Sequence, residues 1–216
     1  MTIHERLEHT LLKPEAVPAE IEQLCKEAKE WQMAGVCVNS AYVPLAAALC
    51  RGSGVRVVTV VGFPLGAMAS EAKAFETDYA VRHGADEIDM VLAIGAAKTD
   101  DWDYVREDIR KVVEAAKGRP VKVILETGLL TEEEKRRACQ IAAEAGAAYV
   151  KTSTGFGHGG AAESDILLMK EAVQGRCLVK ASGGIRDLAA AKAMVAAGAD
   201  RIGTSCGAAI AAAEAK

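Results

Sequence analysis

Short apolar runs recur along the chain at nearly even spacing, each followed by a loop and then an amphipathic or alanine-rich stretch. The runs are Leu7–Leu12, Gly35–Val38, Arg56–Gly62, Glu87–Val91, Val121–Glu126, Tyr149–Lys151, Leu178–Lys180 and Arg201–Gly203. They are rich in β-branched residues and hardly alternate, which is the pattern of strands covered on both faces. Between them lie helix signals. Ile21, Leu24, Cys25 and Ala28 follow the i, i+3, i+4, i+7 spacing of a buried stripe. Thr131-Glu132-Glu133-Glu134 has the form of a capping box, in which Thr131 accepts an orphan N–H and Glu134 reaches back. Gly35, Gly84, Gly146 and Gly198 each stand between a helical stretch and a strand, the place of a left-handed C-cap. The run Ala208–Ala213 predicts a last helix, and Asp100-Asp101 a solvated loop.

Eight such units in 216 residues leave about 27 residues for each. No linker, Pro/Ser-rich tract or shift of composition divides them, so a single domain over residues 1–216 is expected. The fold class predicted is α/β, a (β/α)8 TIM barrel. An open, doubly wound sheet uses the same units; its dinucleotide-binding form is weakened because no Gly-x-Gly-x-x-Gly follows the first run.

Composition narrows the function. Lys plus Arg is 26 against 30 Asp plus Glu, a net charge of −4, which lacks the basic excess of a nucleic-acid binder and gives no hint of an anionic-membrane partner. Aromatic residues are only 4 %, so the core must rest on Ala, Val, Ile and Leu. The longest uncharged stretch, Val57 to Ser70, is short and broken by Gly62, Pro64 and Gly66, too little to span a membrane. Six cysteines without a Cys-x-x-Cys pair, behind a polar start, predict reduced thiols in a cytoplasmic protein. His4, His9, His83 and His158 have no zinc-ligand spacing, so no metal and no other cofactor is expected.

In a barrel the chemistry sits at the C-terminal ends of the strands. Two lysines stand there, in Tyr149-Val150-Lys151 and Leu178-Val179-Lys180. Lysine is among the residues least often fully buried, and one alone reads as a solvated rim residue. Two in adjacent units, with Asp89 at another strand mouth, point instead to amine chemistry. An amine attacks a carbonyl only when unprotonated, and an ordinary lysine with a pKa of ~10.4 is almost wholly protonated at pH 7. A second ammonium ~6.5 Å away costs ~2.5 kcal/mol at an effective dielectric of 20, almost two pKa units, and partial burial adds more. Such a pair prepares a Schiff-base nucleophile, with Asp89 placed to move protons.

A second cluster is rich in glycine. Ser182-Gly183-Gly184-Ile185-Arg186-Asp187 follows the seventh run and Gly203-Thr204-Ser205-Cys206-Gly207 the eighth, which are the loops that bind phosphate in many barrels. Thr152 and Gly155 belong to a third small, polar loop, Lys151 to Gly157. Cys37 reads first as a small core residue whose strand-end position permits contact with substrate. His9 and Glu126 read as structural hydrogen-bonding residues.

The chain resembles the deoxyribose-phosphate aldolase family of class I aldolases over nearly its whole length. The resemblance lies in His9-Thr-Leu-Leu-Lys-Pro14, Val36-Cys-Val-Asn39, Val61-Gly-Phe-Pro-Leu-Gly66 and Glu87-Ile-Asp-Met-Val91. It continues in Lys122-Val-Ile-Leu-Glu-Thr127, Val150-Lys-Thr-Ser-Thr-Gly-Phe156, Val179-Lys-Ala-Ser-Gly-Gly-Ile185 and Arg201-Ile-Gly-Thr-Ser205. It implies a (β/α)8 barrel that reversibly cleaves 2-deoxy-D-ribose 5-phosphate to D-glyceraldehyde 3-phosphate and acetaldehyde. Carried over by motif, Lys151 forms the Schiff base, and Asp89 and Lys180 donate and accept protons. Glu8, Cys37, Thr152, Gly155, Gly183, Gly184, Gly203 and Ser205 are expected to contact substrate, the loops at Gly183-Gly184 and Ser205 holding its phosphate. The partners implied are small phosphosugars and aldehydes, with neither nucleic acid nor membrane, and with room for a homo-oligomer, dimeric or tetrameric. Glu8 stands where the family usually has Asp, and its extra methylene is expected to push the carboxylate outward; Cys206 replaces a frequent Ser. Two rival functions share the fold: an isomerase or decarboxylase that binds the phosphate without forming an imine, and a non-catalytic sugar-phosphate sensor.

Overall fold

Each apolar run becomes one strand of a closed parallel barrel in the computed structural model, which describes residues 2–157 and 159–216. Met1 and His158, the latter weighed above as a metal ligand, lie outside the described residues. The strands are β1 (Leu7–Leu11), β2 (Gly35–Val38), β3 (Arg56–Val61), β4 (Glu87–Val91), β5 (Val121–Ile124), β6 (Tyr149–Lys151), β7 (Leu178–Ser182) and β8 (Arg201–Thr204). They pair in chain order, and β8 closes on β1 through Leu7–Ile202, Glu8–Gly203 and His9–Thr204. The expected (β/α)8 barrel is the observed fold.

The outer layer is made of α1 (Pro18–Glu30), α2 (Val43–Cys50), α3 (Ser70–Arg82), α4 (Ile94–Lys98), α5 (Trp102–Ala115), α6 (Glu132–Glu144), α7 (Glu163–Val173), α8 (Leu188–Ala196) and α9 (Gly207–Glu214). The β4–β5 crossover carries two helices, α4 and α5, where one was expected. Ile21, Leu24, Cys25 and Ala28 form the buried face of α1. The Thr131–Glu134 capping box opens α6, with Thr131 accepting from the Glu134 N–H. Asp101 is more than a loop residue: its side chain accepts from Tyr104 N and caps α5. Gly84, Gly146 and Gly198 are left-handed as expected, but Gly35 is not. It lies inside β2, where a Cβ would meet the Arg56 carbonyl oxygen at 2.7 Å, and Gln32 makes the left-handed turn in its place.

Two faces of the strands meet two different interiors. Val36, Val57, Ile88, Met90, Val123, Val150, Val179 and Ile202 pack with the helices in one continuous apolar core. Each such side chain contributes roughly 1.5–3 kcal/mol by leaving water. The other face lines the barrel lumen, which is divided. On the side of β2 and β3 it is apolar, with Leu12, Cys37, Val58 and Val60 packed under Phe63. From β4 round to β1 it is ionic.

Candidate active site

Lysines reach the lumen because they alternate with outward-facing apolar residues: Val121-Lys122-Val123 on β5, Val150-Lys151 on β6, Val179-Lys180 on β7. Lys151 and Lys180 are direct register partners, and Asp89 is the register partner of Lys122. Parallel register thus brings together groups far apart in sequence. Asp89 Oδ1 accepts from Lys122 Nζ at 2.8 Å. Its Oδ2 accepts from Lys151 Nζ at 2.8 Å and from Lys180 Nζ at 2.6 Å. Lys180 also donates to Glu8. Lys122 bridges to Glu87 at 2.7 Å and Glu8 at 3.4 Å. Arg201 pairs with Glu8 at 3.3 Å and donates to the Tyr149 hydroxyl at 3.2 Å. Arg56 touches Glu87 at 3.1 Å from the half-exposed end of the barrel.

The buried network contains four cationic side chains, Lys122, Lys151, Lys180 and Arg201, against three carboxylates, Glu8, Glu87 and Asp89. Fully ionised it would carry an excess positive charge with little access to water, so one lysine is under pressure to lose its proton. Burial lowers the Lys151 pKa; Asp89 opposes this and Lys180 reinforces it, and the net direction is down. Burial acts likewise on Lys180 and Lys122, but their carboxylate partners outweigh it and both pKa values rise. Burial would raise the carboxyls, yet the surrounding lysines hold Glu8 below, and Asp89 well below, the usual carboxylate range. Desolvation therefore leads over the neighbouring ammonium as the cause of the depressed Lys151 pKa.

Lys151 also faces a cleft of about 250 Å³ at the C-terminal mouth of the barrel. Lys151, Gly155, Gly183, Gly184, Gly203 and Ser205 line it together with Lys13, Thr154, Phe156 and Arg186. Besides Lys151, two cations, Lys13 and Arg186, and no carboxylate line this cleft. Among the described residues Lys13 and Arg186 form no ion pair, and the N–H groups of Gly184, Ile185 and Ser205 make no intramolecular hydrogen bond. Backbone donors and unpaired cations on one wall make an anion site. An 820 Å³ hollow between Asp100 and Gln140 is larger, but none of its lining residues is buried.

Asp89, Lys180 and Glu8 lie behind the cleft, in contact with Lys151 directly or through one another. Glu8 corrects the sequence expectation: its carboxylate is wholly buried, drawn inward by Lys122, Lys180 and Arg201. Cys37 and Thr152 do not line the cleft. Burial pushes the Cys37 thiol up to about 11, and the Thr152 hydroxyl is spent on Ser182, donating to its carbonyl at 2.8 Å and accepting from its N–H at 3.0 Å. Gly203 has a further role, since a Cβ there would stand 3.1 Å from Lys180 Cε. Lys122, Arg201 and Lys13 were not singled out from sequence; Arg186, close to the phosphate loops in sequence though free to point away, lines the cleft. The signal for Lys122 was a charge inside a strand buried on both faces. Glu126 has a left-handed backbone (φ 57°), and its buried carboxylate accepts from the Thr154 hydroxyl, fixing the loop after β6. Among the described residues no three His, Cys, Asp or Glu side chains gather as a metal site, and no helix is long and apolar enough to cross a membrane.

Residues 5–213 match the DeoC/LacD family aldolase profile. A deoxyribose-phosphate aldolase of Bdellovibrio bacteriovorus is 57 % identical over 96 % of this chain and 94 % of its own length. A deoxyribose-phosphate aldolase of Geobacillus sp. is 56 % identical, with the same two coverages. The tetrameric deoxyribose phosphate aldolase of Aeropyrum pernix superposes with a TM-score of 0.92 at 31 % identity, covering 98 % of this chain and 90 % of that one. With the lumen lysines and the electropositive cleft already in place, these matches assign the chain to the DeoC/LacD family of aldolases.

Proposed function

We propose that this aldolase cleaves 2-deoxy-D-ribose 5-phosphate reversibly to D-glyceraldehyde 3-phosphate and acetaldehyde through a Schiff base on Lys151. One observation carries the reading: of the three lumen lysines, the one whose pKa is depressed is the one that faces a phosphate-compatible cleft. The phosphate sits against the N–H groups of Gly184, Ile185 and Ser205, with Arg186 and Lys13 beside it. That remote anchor places C1 of the open-chain sugar against Lys151.

Neutral Lys151 attacks the C1 aldehyde to give a carbinolamine, which loses water to become a protonated imine. A base takes the C3 hydroxyl proton, the C2–C3 bond breaks, and its electron pair moves into the iminium to form a two-carbon enamine. D-Glyceraldehyde 3-phosphate leaves. Protonation of the enamine at C2 and hydrolysis of the imine release acetaldehyde and return the amine. Asp89 Oδ2, bonded to both Lys151 and Lys180, offers a short path for these protons. Asp89, held as the carboxylate, relays protons between the two lysines, and Lys180, held as the ammonium, first supplies a proton and then takes one back. Glu8 and Lys122 keep the pair in place.

The enzyme acts as a homo-oligomer in the cytoplasm, where its thiols stay reduced. Incubation with 2-deoxyribose 5-phosphate is expected to give acetaldehyde and glyceraldehyde 3-phosphate in equal amounts. Binding of the sugar phosphate without carbon–carbon cleavage would favour the isomerase or sensor instead.

A further inference from the structure

A fully buried ion pair lies outside the lumen, between α3 and α5. Lys73 Nζ contacts Asp108 Oδ2 at 2.6 Å and donates to the Val91 carbonyl at 3.0 Å, and neither side chain is exposed. The second Asp108 oxygen has no hydrogen-bond partner. Burying a charged pair rarely stabilises a fold more than apolar side chains of the same volume would. Its geometry suggests what it does instead. The register of β3 with β4 ends at Val61–Met90, and the chain turns away at Gly62 with φ +63°. Val91, one residue beyond, has a carbonyl that β3 no longer accompanies, and the Lys73 ammonium takes it. The lysine stem fills the space beside Gly62, where a Cβ would meet Lys73 Cε at 2.9 Å. Glu76, one turn further along α3, accepts from Gly62 N at 3.0 Å and from the Ser40 hydroxyl at 3.0 Å. One helix therefore ties the chain just after β2, the turn after β3 and the end of β4.

We propose that Lys73 and Asp108 form a positioning pair for Asp89, which precedes Val91 by two residues on the same strand. The pair clamps the end of β4 so that Asp89 Oδ2 stays shared between Lys151 and Lys180. The inference rests on the Schiff-base reading above and adds residues that touch neither substrate nor the reacting atoms.

The test is the double variant Lys73→Met/Asp108→Leu, which leaves no unpaired buried charge. It is expected to fold, to lose roughly tenfold or more in kcat, as an ångström-scale misplacement of a proton-transfer group would cause, and to change KM by less than about threefold because the phosphate loops are untouched. The pH dependence of imine trapping at Lys151 is expected to shift as well. If the double variant does not fold, Asp108→Asn carries the same measurements, since it keeps side-chain volume while weakening the hold on Lys73. Parental kcat and an unchanged pH profile in a folded variant, with or without a lower Tm, would overturn the positioning role. Lys151 trapping in the parental enzyme separates that outcome from a failure of the Schiff-base reading itself.

Discussion

Lys180→Met removes one ammonium from the pair and leaves a side chain of similar length in its channel beside Gly203. The bonds of 2.8 and 2.6 Å to a shared Asp89 oxygen put the two Nζ atoms within about 5.4 Å of each other. At an effective dielectric of about 20, that separation is worth about 3 kcal/mol, or about two pKa units. Loss of Lys180 also frees Asp89 from one cation, so that carboxylate holds the proton of Lys151 more strongly. Both effects raise the Lys151 pKa. The unprotonated amine at pH 7 should fall by up to about a hundredfold, and turnover further than the amine, because a proton donor is lost too. The assay follows acetaldehyde trapping on Lys151 by cyanoborohydride, and kcat beside it, as a function of pH. Imine formation should recover with a slope near one decade per pH unit until the new pKa is passed, while kcat recovers only in part. A variant with a near-parental trapping rate and an unchanged pH profile would refute the electrostatic role of Lys180.

Gly184 has φ +77° and no atom within 4 Å of a Cβ built on it, so Gly184→Val would project a branched side chain into the cleft and strain the loop. In kcat/KM the phosphorylated substrate should lose about 2–4 kcal/mol and unphosphorylated deoxyribose far less; equal losses in a folded variant would remove these loops from the phosphate site. Lys151→Met should abolish turnover yet raise Tm by a few degrees. A lysine whose folded pKa is depressed costs stability at every pH below its unfolded value, and Asp89 keeps Lys122 and Lys180 in the variant; a lower Tm would contradict this. For Asp89 and Glu8 the sign is opposite. Their folded pKa values are depressed, so the stability they confer is present above the ordinary values of 3.8 and 4.5 and is lost as pH falls through and below them. Tm measured by calorimetry should therefore drop steeply from about pH 5 to pH 3, and a flat profile over that window would contradict the ionic lumen.

Much of the barrel was legible because its strands are covered on both faces, so each appears as an unbroken apolar run. The ends were less legible: β5 stops at Ile124, short of Glu126 with its left-handed backbone, while β7 runs on to Ser182. Lys151, Lys180 and Asp89 stood out as charges in or closing apolar runs, but only Lys151 ends its strand; Asp89 and Lys180 stand mid-strand in β4 and β7, deeper than the strand mouths expected for them. Lys122 did not, because one lysine inside an apolar run looks the same in sequence whether it snorkels to water or pairs in a lumen. The inward turn of Glu8 was hidden for a related reason. Its partners Lys180 and Arg201 lie 172 and 193 residues away, and only closure of β8 on β1 brings them together. Thr152 illustrates the reverse: a polar residue in the right loop, already satisfied by the neighbouring strand.

The central claim is that Lys151 is the amine that bears the substrate carbon. Borohydride reduction in the presence of acetaldehyde, followed by peptide mass mapping, tests it most directly. The predicted result is an ethyl group on Lys151 Nζ, appearing in step with loss of activity and suppressed in Lys151→Met. An adduct on another lysine, or none while turnover continues, would contradict the account.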